Sequence, residues 1–125
     1  MRRLTQLAAV LSLPPTLAHE ATHWAVARTV TDDAQIAVEV TGGRAVAAWS
    51  PIDHPVIRFF AFLGPTVFGS LLAGVWLLSG VTLDGWRLLL ALGLGIYTMP
   101  SAADVQGALG RQAVQQSHDN EQTQR

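Results

Sequence analysis

The chemistry in this sequence is concentrated in five consecutive residues, His-Glu-Ala-Thr-His, at positions 19–23. On a helix, His19 and His23 lie one turn apart on the same face, so both imidazoles can reach one metal ion about 2.0–2.1 Å away. Glu20 is then placed to take a proton from the attacking water and pass it to a leaving amine. The spacing predicts a zinc site that hydrolyses peptide bonds, with Glu20 as the catalytic residue. The alternative, two histidines on a polar helix stripe, is disfavoured by the apolar residues on both sides of the motif.

A catalytic zinc usually has three protein ligands and one open position, so a further residue must complete the site. The chain has no cysteine, which leaves His, Asp or Glu. Asp104 is the first choice because it ends an uncharged stretch just after Pro100, where a break in the helix can turn the carboxylate inward. Ser101 and Asp104 also form a capping-box pattern, and one carboxylate oxygen can cap while the other binds the metal. The other candidates are His54, Glu39, Asp53 and Asp84, together with His118 and Glu121 near the C-terminus.

The segments that must position these residues are apolar. Half of the 125 residues are hydrophobic, only 14% are charged, and the net charge is −1. A soluble domain usually carries about 25% charged residues. Nucleic acid is excluded as a partner because phosphate binding needs a basic field. No charged residue occurs in residues 4–18, 59–83 or 88–103.

Such stretches predict an all-α membrane protein with about three transmembrane helices, since a bilayer core about 30 Å thick needs roughly 20 helical residues. The helices are expected at about 4–30, 56–79 and 84–99. Pro14-Pro15 should kink or break the first helix, and a short helix should restart at Ser101 after Pro100. A β-hairpin with a glycine turn is predicted over 35–49, between helices one and two. Residues 1–110 would form one domain, followed by a polar, disordered tail at 111–125.

The first segment also fits a secretory signal peptide. Arg2 and Arg3 would be its basic region, residues 4–13 its apolar region, and Ala18 the last residue before cleavage. Cleavage there would leave His19 at the new N-terminus with two membrane spans behind it.

Three features in this order resemble the site-2-protease-like intramembrane zinc metalloproteases. They are the motif at 19–23, Gly64-Pro65 in the middle helix, and the segment from Pro100 to Asp104. The family also has a small sheet after the motif helix, and the resemblance covers residues 5 to about 110. It implies that His19, His23 and Asp104 bind Zn²⁺, that Glu20 is the general base, and that the substrate is a transmembrane or membrane-proximal protein.

Two other functional classes remain open. Phe68 stands where the family usually has Asn, which favours a non-catalytic, metal-binding membrane scaffold or helper subunit. A soluble zinc peptidase is disfavoured by the uncharged run at 59–83, because a buried soluble helix rarely stays apolar for so long.

The chain is predicted to be an integral, multi-pass membrane protein in contact with lipid. In a three-span chain helices one and three are parallel, so Asp104 and the motif at 19–23 fall at the same membrane face. The positive-inside rule favours a cytosolic active-site side by five arginines to three, although the Arg2-Arg3 pair argues for the opposite orientation. The two groups are Arg28, Arg44, Arg58, Arg111 and Arg125, and Arg2, Arg3 and Arg87.

Overall fold

The computed structural model describes residues 2–40 and 42–111 of the chain. This part is mostly helical, as predicted, with four helices and a two-stranded antiparallel sheet. The elements in chain order are α1 (Arg2–Ala27), β1 (Gln35–Glu39), β2 (Arg44–Ala48), α2 (Pro55–Leu78), α3 (Gly85–Thr98) and α4 (Ala102–Ala108). The predicted hairpin, the second and third helices and the helix restart at Ser101 are confirmed. The predicted tail lies outside the described residues except for Arg111.

Helix α1 runs through Pro14 and Pro15 without a break and ends at Ala27, three residues before the predicted end. Of the predicted kink or break, the break does not occur. Each proline removes one backbone donor, yet the helix continues on both sides. The Thr16 hydroxyl donates to the Ser12 carbonyl over 2.8 Å, so a side chain adds a bond close to the two lost donors.

The hairpin runs back along α1. Its register pairs Gln35 with Ala48 and Glu39 with Arg44. Gly43 turns the chain with a φ of 60°, a left-handed conformation that favours glycine, and it packs against the backbone of Ala9 in α1. The strand that lies nearer to α1 is β2.

A carboxylate closes the open end of the hairpin. Both oxygens of Asp33 accept hydrogen bonds from the Ser50 amide, at 3.2 and 3.1 Å, and the Ser50 hydroxyl also donates to this carboxylate. These bonds favour the charged form and hold the pKa of Asp33 below its usual value. The segments before β1 and after β2 are therefore joined outside the ladder.

Helix α2 packs against α1, α3 and α4, and small residues make these contacts possible. Its buried positions are Ala61, Gly64, Pro65 and Gly69. A Cβ on Gly69 would overlap Thr98 of α3, and one on Gly107 of α4 would overlap the ring of Phe62. The buried apolar core is small and consists of Ala27, Ala34, Ile52 and Ala61.

Among the described residues, α2 is the one helix that is long and apolar enough by itself to cross a membrane. Helices α3 and α4 meet the same requirement only as a pair, with a bend of 46° between them. Large apolar side chains line the outside of the helices. Leu77 and Leu78, for example, are 77% and 91% exposed.

Candidate metal centre

His19 and His23 lie one turn apart on the buried face of α1, as the spacing predicts. Their rings are 4.6 Å apart between centroids and nearly perpendicular, at 77°. The two residues are only 7% and 1% exposed. Buried imidazoles need polar partners, so the atoms around each ring determine what the pair can do.

A backbone carbonyl orients each histidine. His19 Nδ1 lies 2.5 Å from the carbonyl oxygen of Tyr97 in α3, and His23 Nδ1 lies 2.6 Å from that of Ala61 in α2. A carbonyl oxygen can only accept a hydrogen bond, so Nδ1 must carry the proton on both rings. In the neutral imidazoles this leaves the lone pair on Nε2, which is the arrangement of metal-binding histidines whose other nitrogen is hydrogen-bonded.

Asp104 meets the free nitrogens of both histidines. His19 Nε2 is 3.5 Å from Asp104 Oδ2, and His23 Nε2 is 3.3 Å from Asp104 Oδ1. Asp104 is 9% exposed and lies in the first turn of α4. The capping box also forms: the Ser101 hydroxyl accepts from the Asp104 amide at 3.1 Å, and Asp104 Oδ2 accepts from the Ser101 amide at 2.7 Å. The carboxylate therefore caps α4 and faces both histidines at once.

These three side chains fit a zinc ion. Four ligands at 2.0–2.1 Å in tetrahedral geometry are separated from one another by about 3.3–3.4 Å. The two nitrogen–oxygen distances in the site are of that size, 3.5 and 3.3 Å, each to a different oxygen of Asp104. His23 Nε2 is buried and makes no hydrogen bond, so its lone pair lacks a partner that a metal would supply. Two imidazoles and one carboxylate are also a donor set that suits zinc.

Glu20 lies beside these three side chains, and its carboxylate is hydrogen-bonded to a backbone amide of the hairpin. One ligand atom each of His19, Glu20 and His23 lie within 4.8 Å of one another, so Glu20 is close enough to belong to a metal cluster. Its Oε2, however, accepts a hydrogen bond from the Ala47 amide of β2 at 2.8 Å. We therefore favour Asp104 as the third ligand, because its carboxylate approaches both Nε2 atoms and Glu20 is tied to the strand.

An open cleft of about 400 Å³ adjoins the candidate ligands. One wall is β2 and the following residue, Trp49, and Phe62 of α2 contributes a second aromatic ring. The two rings pack 5.0 Å apart, and Trp49 also lies 6.0 Å from the ring of His23. Glu20, His23 and Asp104 are the ionisable residues that line the cleft. A peptide in this space would have apolar side chains on one side and the candidate metal ligands on the other.

The other candidate ligands do not join the site. His54 precedes α2 and is exposed, as are Asp53, Glu39 and Asp84. Asp84 pairs with Arg87 at 3.6 Å, in the turn that begins α3. Within the described part of the chain, Asp104 supplies the carboxylate that lies within 4 Å of both histidines. His118 and Glu121 lie outside the described residues.

Several groups around the site are absent from the expectations drawn from the sequence. They are the carbonyls of Tyr97 and Ala61, the Ala47 amide, and the rings of Trp49 and Phe62. Every residue type has a carbonyl and nearly every type an amide, so composition and motif spacing carry no signal for the backbone groups. Chemically, the assembled groups can hold a divalent metal next to a carboxylate and an open cleft.

No protein-family model, no curated protein and no solved structure matches this chain.

Proposed function

We propose that this chain is a zinc-dependent intramembrane peptidase of the site-2-protease-like kind, acting on a transmembrane or membrane-proximal protein. One observation carries the proposal: Asp104, about eighty residues after His19 and His23 in sequence, approaches both histidines, and the Glu20 carboxylate lies beside them, hydrogen-bonded to the Ala47 amide. A catalytic zinc that keeps one coordination position open is expected to have three protein ligands, here with a separate carboxylate beside them.

In the proposed reaction, His19, His23 and Asp104 hold the metal. Zinc, when bound, would polarise the scissile carbonyl and make the attacking water more acidic. Glu20 takes one proton from that water as its oxygen bonds to the carbonyl carbon. The same carboxylate passes the proton to the amine nitrogen as the carbon–nitrogen bond breaks, so Glu20 ends the cycle unchanged. The products are a carboxylic acid and an amine.

The exposed apolar surface supports a place in the membrane. Only 22% of the most apolar stretch of α2 is buried, whereas the core helix of a soluble zinc peptidase would be largely covered. Monomeric soluble proteins rarely expose contiguous apolar patches larger than a few hundred Å². We infer that lipid covers these side chains, and that α1, α2 and the bent pair of α3 and α4 are three membrane-spanning segments.

The arginines bear on the orientation of the chain in the membrane. The C-terminal half of α1 and the start of α4 would lie toward one membrane face, which the count from the sequence, five arginines against three, assigns to the cytosol. Arg44 follows the hairpin turn, which packs against Ala9 in the first half of α1, so it does not lie with the other arginines of that face. Counted with Arg2, Arg3 and Arg87 instead, Arg44 makes the arginines four against four, so their number favours neither orientation.

A substrate in the cleft would lie against β2. Ala47 donates its N–H to Glu20, so this edge of β2 faces α1 and the candidate metal ligands. A peptide paired with β1, on the other edge of the hairpin, would be separated from β2 by β1 itself. It would lie two strand spacings from β2, or roughly 9.5 Å, and so farther from the candidate metal ligands. We therefore place the extended substrate on the β2 side of the cleft, where it could pair as an added strand.

The test is cleavage by the purified protein in liposomes. We expect zinc-loaded protein to cleave single-span reporter peptides, a chelator to stop cleavage, and added zinc to restore it. Glu20→Gln is the matched inactive control. If zinc-loaded protein cleaves no reporter from a broad set of single-span sequences, the peptidase proposal is wrong and the chain is a non-catalytic, metal-binding membrane scaffold.

A further inference from the structure

The two carbonyls that orient the histidines share one feature: neither accepts a hydrogen bond from the amide four residues later. In an α-helix, the carbonyl of residue i accepts from the N–H of residue i+4. For Ala61 that donor would come from residue 65, which is proline and has no N–H. The proline ring also crowds the carbonyl four residues earlier, which tilts such a carbonyl away from the helix axis.

The freed carbonyl of Ala61 is the one that His23 uses. His23 Nδ1 donates to it over 2.6 Å, and both Ala61 and the Pro65 side chain are fully buried. A buried carbonyl without a donor would be costly. The histidine therefore satisfies the acceptor that Pro65 leaves open, and the carbonyl in turn fixes the proton on Nδ1.

At His19 the carbonyl is open for a different reason, the end of α3 ahead of Pro100. The Tyr97 carbonyl would accept from the Ser101 amide, but α3 ends at Thr98 ahead of Pro100, and the Ser101 amide donates to Asp104 Oδ2. The Tyr97 carbonyl is thus open to His19 Nδ1. One break in the helix supplies both an acceptor for His19 and a donor for Asp104.

We propose that Pro65 and Pro100 are positioning residues of the metal centre: Pro65 withholds the helical donor of the Ala61 carbonyl, and Pro100 follows the end of α3, beyond which the Tyr97 carbonyl has no helical donor. Neither proline touches the metal or the substrate in this account. The inference rests on the proposed metal site and is independent of whether the protein hydrolyses peptides. Pro65 is the better residue to test, because α2 continues on both sides of it whereas Pro100 separates two helices.

The experiment compares proline, alanine and lactic acid at position 65 of the full chain, purified in detergent. Pro65→Ala restores an N–H that can compete for the Ala61 carbonyl. Replacing residue 65 with lactic acid gives the same methyl side chain and the same void, but an ester oxygen stands in place of the N–H. Pro14→Ala in α1 is the control for adding an N–H to a helix, since the carbonyl four residues before it, at position 10, orients no candidate ligand. Zinc affinity is measured by competition with a chromophoric chelator, and thermal unfolding is measured on metal-free protein.

We expect zinc to bind 10–100-fold more weakly to Pro65→Ala than to wild type, the range typical for loss of a group that orients a metal ligand. The lactic acid variant should bind zinc within about threefold of wild type, and Pro14→Ala should match wild type. Metal-free Pro65→Ala should unfold at the same temperature as its lactic acid counterpart or higher, because a helix gains a hydrogen bond. Weaker zinc binding without lower stability is the result that a purely structural role would not give.

Two results would overturn the inference. One is equal zinc affinity in wild type and Pro65→Ala; the other is an equal loss in the alanine and lactic acid variants, which would assign the effect to the void. Failure of the proposed metal site would look different, because wild type itself would then bind no zinc, and failure of the proposed peptidase activity would leave these zinc affinities unchanged. In spectra of ¹⁵N-histidine protein without metal, His23 should keep its Nδ1 proton in the lactic acid variant and lose that preference in Pro65→Ala.

Discussion

Glu20→Gln separates metal binding from catalysis more cleanly than any other single change in this site. Glutamine has the shape of glutamate, and its side-chain oxygen can still accept from the Ala47 amide, which lies 2.8 Å from Oε2. What the variant loses is a carboxylate able to carry a proton. The proposed ligands His19, His23 and Asp104 are unchanged, so zinc content should equal that of wild type.

The expected magnitudes differ greatly between stability and rate. A hydrogen bond to a charged group contributes about 1.5–3 kcal/mol and a neutral one about 0.5–1.5, so the variant should lose about 1 kcal/mol of stability through Ala47. Removal of a positioned general base lowers the rate about 10²–10⁴-fold. At 1.4 kcal/mol per factor of ten, this corresponds to about 3–6 kcal/mol of transition-state stabilisation. The rate should therefore fall far more than any loss of folded protein can explain.

The assay measures cleavage of a single-span reporter in liposomes, together with zinc per chain on the same preparation. Protein folding is followed by thermal unfolding in detergent. Cleavage by Glu20→Gln within about twofold of wild type, at equal zinc content, would refute the assignment of Glu20 as the base. Loss of zinc in the variant would show instead that Glu20 is a ligand.

Three further predictions follow from the hairpin and the helices around the site. Ala47→Pro should lower kcat about tenfold, because one charge-assisted hydrogen bond of about 1.5 kcal/mol no longer holds the general base, and an unchanged kcat would count against that role. The hydrogen bonds to Asp33 should be complete above its unfolded-state pKa of about 3.9 and lost as the pH falls through its lowered folded-state pKa. The Ser50 amide shift in an NMR titration should report this with a midpoint below 3.9, and Asp33→Asn should abolish the transition. Finally, because the chain has no cysteine, Asp53→Cys and Val81→Cys can be labelled without background, and three spans predict labelling from opposite membrane faces.

Local patterns were sufficient to predict most of the elements. The uncharged run at 59–83 predicts α2, and the glycine turn within the weakly alternating stretch at 35–49 predicts the hairpin. Pro100 and Ser101 predict both the end of α3 and the restart as α4. These features depend on residues close in sequence, where propensity and capping decide the backbone conformation.

Pro14 and Pro15, predicted to kink or break the first helix, do not interrupt α1. A proline removes one donor and crowds one carbonyl, but it does not end a helix whose flanking turns remain hydrogen-bonded. Pro65 lies within α2 in the same way. Whether a proline ends a helix depends on the packing of both sides, which local sequence does not contain.

The candidate site was likewise predictable from the sequence only in part. Side-chain chemistry and spacing identify His19, Glu20 and His23, and the charge pattern singles out Asp104. Other interactions depend on how distant segments pack. They are the hydrogen bond from the Ala47 amide to Glu20 and the hydrogen bonds from the two histidines to the Ala61 and Tyr97 carbonyls. Backbone groups of this kind become visible only once the tertiary arrangement is known.

The most direct test of the central claim is zinc content per chain in detergent-purified wild type, Asp104→Ala and Ser101→Ala, prepared without chelator. Ser101→Ala removes the hydroxyl that caps Asp104 but keeps the carboxylate, so it controls for damage to the start of α4. We predict about one zinc in wild type and in Ser101→Ala, and a clear loss in Asp104→Ala. No zinc in wild type, or equal zinc in wild type and Asp104→Ala, would contradict the three-ligand site.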